Sequence, residues 1–600
     1  MRPRCLESSS ASTSSRSAQL PCRVLCRSRG PRSHRSIAVF AAAQPATQTA
    51  KPSSQASTSG RPAPELTAPS RGRLPVPVTS WRLPEESTLP LYTCLDGDVL
   101  TPANRFAYYD ALRSGLKALR ALGINGVSVD VCWGLVEGGG PGVYDWSAYK
   151  QLLALIRDEG FMAQVVLCFH ATPSVPLPAW VEEAGAANPD LFYADRAGSR
   201  CREYLSLGVD HVPVVAGRTA VECYRDLMAS FRRELGPLLG SCVTDVAVGL
   251  GPDGELKYPA HPRDKRWAFP GVGEFQCYDR YMLASLRACA HQVSQPSWGL
   301  GGPHDAGAYG AAPHNTGFFA QHGSWASPYG KFFLQWYSDM LLQHADSVLG
   351  AAREALLGTP PPHPHAAPHR APAPAAALPP PLRLHAKLPA LYWWFATASH
   401  APELTAGYYN TATRDGYLPV MAVLAAHGVG ARLKGAELRT AELAPVHCCD
   451  PERQLAQQRT VAAALRLPVG VENAGERFDE AGLGRLEAAL FEPGLYSGIE
   501  LPPVNSLVFN RMCDALFEPG NWGRFKEFVR RVRGRADTLV LPWRGAAPEA
   551  AAGGPGREGP QPQPQAQAAA LGSSQQQAQQ GQEGAAEAQQ GAGLGAMQLA

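Results

Sequence analysis

Short runs of β-branched and apolar residues alternate along this chain with longer segments whose apolar positions recur every three or four residues, a βαβα succession. The strand-like runs are Leu91 to Leu95, Gly126 to Trp133, Ala163 to Phe169, Asp245 to Leu250, Leu382 to Leu388, Ala431 to Leu438, Leu467 to Val471 and Ser506 to Met512. Eight parallel strands are what a closed α/β barrel of the (β/α)8 TIM type requires. After the first run, Thr101-Pro102 reads as the N-cap and first residue of a helix, with Leu112, Leu116 and Leu119 as its apolar stripe and Gly123 as its terminator. Phe333, Trp336, Met340 and Val348 form a second stripe, and Leu483, Leu486 and Leu490 a third. All three read as core.

Three segments break the pattern. Residues 1–50 are rich in Arg, Ser and Ala, carry Glu7 as their only acid and end near Val39-Phe40-Ala41-Ala42-Ala43. That composition fits an organellar transit peptide, although an unprocessed tail has the same look. Residues 51–80 continue as a Ser/Pro-rich linker. The barrel is expected over 81–545, with a Pro/His/Ala-rich insertion at 359–381 that can form neither helix nor central strand. Residues 546–600 form a Gln/Ala-rich tail with little to bury.

Composition narrows the class. Hydrophobic residues make up 45% of the chain and charged residues 18%, enough for a sizeable core. The net charge of +3 comes without a basic stripe interleaved with aromatics, so no nucleic-acid partner is expected. No apolar run nears the roughly 20 residues of a membrane helix. The 14 cysteines lack paired spacing and read as reduced. His447, Cys448 and Cys449 are too crowded for one zinc, and no metal is expected. Nothing in the sequence sets the oligomeric state.

Active sites of such barrels are built at the C-terminal ends of the strands. There this chain places Asp130, His170, Glu255, Lys387, Glu472 with Asn473 and Ala474, and Arg511. Tyr392, Trp393 and Trp394 follow the fifth strand. Aromatic faces for pyranose rings, polar groups for hydroxyls and two carboxylates for acid and base work suit a glycan. Glu255 and Glu472 stand on strands that lie across the barrel, with room for a water between them. Taken alone, each glutamate serves equally well as a salt-bridge partner.

Around these residues the chain resembles the β-amylases, from about Leu91 to Arg533. The resemblance rests on the two glutamate motifs and on Tyr144-Asp145-Trp146, Gly273-Glu274-Phe275-Gln276-Cys277-Tyr278-Asp279, Gly330-Lys331-Phe332-Phe333 and Glu403-Leu404-Thr405-Ala406-Gly407-Tyr408-Tyr409-Asn410. It implies exo-hydrolysis of α-1,4-glucosidic bonds in starch or maltodextrin chains, releasing β-maltose with inversion and without a cofactor. By the same resemblance Glu255 is the general acid and Glu472 the base. Asp130, His170, Lys387, Asn473, Ala474 and Arg511 then bind glucose units.

The departures from that family gather at the same pocket. The Gly-rich lid that follows the histidine of the third strand, with its closing Asp, is replaced here by Ala171-Thr172-Pro173-Ser174-Val175-Pro176. Lys434 stands in place of the family's inner-loop Thr, where a cation beside Glu472 is expected to hold it charged and take up space. Tyr392 replaces a His, and Cys132 the first of two Trp. Three readings stay open: a hydrolase, a weak or inactive glucan-binding relative, and a barrel hydrolase for another glycan. The insertion at 359–381 is a candidate substitute for the missing lid.

Overall fold

The computed structural model describes residues 89–262, 267–358 and 382–536. The expected transit peptide, linker, Pro/His/Ala-rich insertion and Gln/Ala-rich tail lie outside these residues. Eight parallel strands close into a barrel: β1 (Leu91–Cys94), β2 (Gly126–Cys132), β3 (Met162–Cys168), β4 (Val243–Val248), β5 (Arg383–Leu388), β6 (Gly430–Lys434), β7 (Val469–Glu472) and β8 (Ser506–Phe509). Each pairs with its sequence neighbours, and β1 closes on β8 through Leu91 opposite Leu507. The eight expected runs all became barrel strands. The sixth stops early because Gly435, at φ +88°, turns the chain away after Lys434.

Side chains alternate between the barrel interior and the surrounding helices. Outward positions such as Val127, Val129, Val131, Val165, Leu167 and Val246 are buried against helices and supply the apolar core. Inward positions are unusually polar, among them Ser128, Gln164, Asp245, His385 and Arg432. Helix α1 (Tyr109–Leu122) ends at Gly123, whose φ of +99° and N–H bonds to Leu119 and Arg120 carbonyls form the expected cap. Its start is later than Thr101-Pro102. The Thr101 carbonyl instead closes a turn onto Asn104, so helix formation waits for Tyr109.

The other stripes fall on α2 (Pro328–Ala352), capped by Ser327, and α3 (Glu480–Phe491), capped by Asp479. Phe333, Trp336 and Val348 are buried, as are Leu483, Leu486 and Leu490, while Met340 lies half out. Among the described residues no helix is long and apolar enough to cross a membrane. Leu382 leads directly into the N-terminal end of β5.

Candidate active site

The mouth of the barrel brings the two glutamates and their satellites together. Past β4, the chain turns through Pro252–Gly254, with Asp253 at φ +58° and Gly254 at φ +72°. This turn swings Glu255 back beside β5, where it bridges to Lys387 and the Leu256 N–H donates to the Lys387 carbonyl at 3.0 Å. A side chain on Gly254 would sit 3.4 Å from the His170 ring. Glu472 ends β7. Both glutamates are buried, at 2% and 5% exposure.

Each carboxylate is held by lysine. Lys387 Nζ lies 3.3 Å from Glu472 Oε1. Lys257 Nζ donates to Glu255 Oε2 at 2.7 Å and to Asp253 Oδ2 at 2.8 Å. Lys434 Nζ donates to Glu255 Oε1 at 2.8 Å. The sequence placed Lys434 beside Glu472, and the backbone register does pair those two residues. The long side chain nonetheless reaches across to Glu255.

Burial by itself would push the Glu255 carboxyl up, but Lys257 and Lys434 outweigh it and hold it down at about 2. Burial disfavours the Lys387 ammonium, and Glu472, Glu255 and Asp130 together overcome this and keep it charged. Asp130 is shifted upward by desolvation, opposed by Lys387. His170 is buried, its Nδ1 has no partner among the described residues, and desolvation lowers it to about 4, so it is neutral at physiological pH.

The remaining expected residues divide into open and engaged groups. Arg511 reaches Asp96 at 3.1 Å from a half-exposed position. Asn473 is fully enclosed: its Nδ2 donates to the Gly475 and Asn510 carbonyls, and its Oδ1 accepts from Asn510 N–H. Its side chain thus fastens β7 to β8. The Ala474 N–H is taken by Glu437 Oε1 at 2.7 Å, which also accepts from Gly475. Lys257, Asp253 and Glu437 were not singled out in the sequence. Their signal was position, since two flank Glu255 and the third follows Lys434 by three residues.

After His170 the chain makes a tight turn instead of a long loop. Thr172 N–H bonds the Val175 carbonyl at 2.8 Å, Val175 and Leu177 are buried, and helix Ala179–Ala187 follows at once. A side chain on Gly134 would collide with the Pro176 carbonyl at 2.0 Å, so this turn lies flat against the end of β2. Across the mouth stands an aromatic wall. Phe269, 43% exposed, packs with Trp393 at 5.8 Å, His447 at 5.6 Å and Tyr392 at 6.3 Å.

The sequence pattern described as Glycosyl hydrolase family 14 matches residues 95–359 and 379–538. The chain belongs to glycosyl hydrolase family 14. Among family 14 relatives, it is 39% identical over 455 residues to β-amylase 2, chloroplastic, of Oryza sativa subsp. japonica, covering 74% of this chain and 77% of that one. It is 38% identical over 456 residues to β-amylase 1, chloroplastic, of Arabidopsis thaliana, covering 74% and 75%. It is also 39% identical over 431 residues to inactive β-amylase 4, chloroplastic, of Arabidopsis thaliana, covering 70% and 77%. The solved catalytic domain of β-amylase from Paenibacillus polymyxa shares the fold, with a TM-score of 0.58, 21% identity, and coverage of 74% of this chain and 98% of that one. The relatives thus include chains named β-amylase and one named inactive β-amylase.

Proposed function

We propose that this family 14 protein binds the non-reducing ends of α-1,4-glucan chains, starch or maltodextrin, and that its maltose-releasing chemistry is suppressed at neutral pH. The observation that carries this reading is the 2.8 Å contact between Lys434 Nζ and Glu255 Oε1. In single-step inverting hydrolysis Glu472 takes a proton from water, the water attacks the anomeric carbon, and Glu255 delivers its proton to the leaving oxygen as β-maltose departs. A carboxylate clamped between two ammonium groups has no proton to deliver. Asp130, His170, Lys387, Ala474 and Arg511 line the mouth as sugar contacts, with Asn473 acting as the brace behind Ala474. The short turn after His170 leaves water free to reach the site, which further disfavours turnover.

A second reading is supported by a separate observation. Glu472 keeps its lysine partner, and Lys434 is 21% exposed at the end of a flexible stem, so a bound sugar could displace it. The chain is then an active β-amylase. The chloroplastic names of its relatives and the composition of residues 1–50 support a plastid stromal location and a place in starch metabolism.

Calorimetric titration of the full chain with maltoheptaose, run beside a maltose-release assay, tests the main reading. Binding accompanied by release far slower than binding exchange supports it. Absence of binding overturns it, and rapid release favours the second reading.

A further inference from the structure

The barrel interior beneath the site holds a cation that no acceptor reaches. Arg432 points inward from the middle of β6, two residues before Lys434, and is 2% exposed. Its Nε, Nη1 and Nη2 lack any hydrogen-bond partner among the described residues. A guanidinium carries five N–H donors and no acceptor, and a buried charge left in this state is costly. The carboxylates within the barrel are already engaged. Asp245 takes Tyr92 at 2.6 Å, Arg383 at 2.5 Å and His385 at 2.7 Å. Glu472 takes Lys387, and Glu255 takes Lys257 and Lys434. Glu472 and Asp245 act on Arg432 through space only.

A second donor has the same character. Gln164 lies in register with Asp245, is 3% exposed, and accepts from Ser128 Oγ through its Oε1 while its Nε2 finds no partner among the described residues. The interior also has unusually little bulk beside these donors. Gly470, opposite Arg432, would bring a Cβ within 3.0 Å of the guanidinium carbon, so glycine there makes room for the arginine. On β4 the inward position two after Asp245 is only Ala247, where barrel interiors normally carry branched, bulky residues. Unpaired N–H donors and a narrow eight-stranded bore select a monatomic anion over an oxyanion.

We propose that Arg432 holds a halide-class anion such as chloride inside the barrel one layer beneath Glu472. The site is independent of whether Glu255 is active, because it lies below the sugar-binding mouth and shares no hydrogen bond with it.

Thermal unfolding of the full chain in sodium chloride and in sodium gluconate, at equal ionic strength, tests this. Chloride is expected to raise the Tm by about 2 °C or more, and Arg432→Gln should erase the difference. Crystals of the unaltered protein soaked in bromide give a readout that does not depend on the variant folding. An anomalous peak within hydrogen-bonding reach of the Arg432 guanidinium supports the site. Water alone at that position, bromide only elsewhere, or chloride stabilisation that survives Arg432→Gln each overturns it.

Discussion

Lys434 and Glu255 meet across the barrel mouth, Nζ to Oε1 at 2.8 Å, although the backbone register sets Lys434 opposite Glu472. With Lys257 on the other oxygen, the residue expected to donate a proton is fixed as a carboxylate. In the proposed reading the catalytic pair is present in composition and impaired in protonation state.

Maltose release should depend steeply on pH. Because the Glu255 carboxyl sits at about 2, its protonated fraction grows about tenfold for each unit that pH falls from 7 toward 5. Release by the unaltered chain should rise accordingly over that range. A profile flat or falling on acidification contradicts the assignment of Glu255 as the limiting acid.

The same depressed value has a consequence for stability. A carboxyl held lower in the folded state stabilises the fold above its ordinary value of about 4.5, and this contribution disappears as pH falls through about 2. Acid titration of unfolding between these limits should show a loss that is smaller in Lys434→Thr. Equal losses in both proteins argue against the ion pair in solution.

Glu255→Gln should abolish residual maltose release while leaving maltoheptaose affinity within about threefold, since the amide keeps the shape and loses the proton. Unchanged release in this variant removes Glu255 from the chemistry.

Asn473→Ala should lower stability by about 2–3 kcal/mol, because the side chain makes two hydrogen bonds to Asn510 just past β8 and a third to the Gly475 carbonyl in its own loop. Denaturant unfolding checks this. Full stability combined with lost glucan binding would instead make the amide a direct sugar contact.

Phe269→Ala should weaken maltodextrin binding about 3- to 10-fold with little change in Tm, given a 43% exposed ring on the aromatic wall. Unaltered affinity would place the bound glucan away from that wall.

The barrel was legible because its signals are local. Runs such as Gly126 to Trp133 and Ala163 to Phe169 are short, apolar and β-branched, and Gly123 is strong helix punctuation. The start of α1 was not legible, since Thr101-Pro102 has capping chemistry but its carbonyl is used by a turn. The site was readable as a set of residues at strand ends. Its pairing was not. Register places Lys434 beside Glu472, while the reach of a four-carbon stem decides that it contacts Glu255. Asn473 shows the same limit: its position at the end of β7 says it is near the sugar, and only the packed loops show that its amide faces inward. Arg432 gave no warning in sequence, since a single basic residue in a strand reads as an edge or a surface position.

The measurement that bears most directly on the central claim is β-maltose release from soluble starch at neutral pH by the unaltered chain and by Lys434→Thr, with maltoheptaose affinity measured on both. Removing one ammonium group from Glu255 should raise its pKa by at least one unit and release by about tenfold or more, at comparable affinity. Rapid release by the unaltered chain, unaffected by Lys434→Thr, contradicts the account.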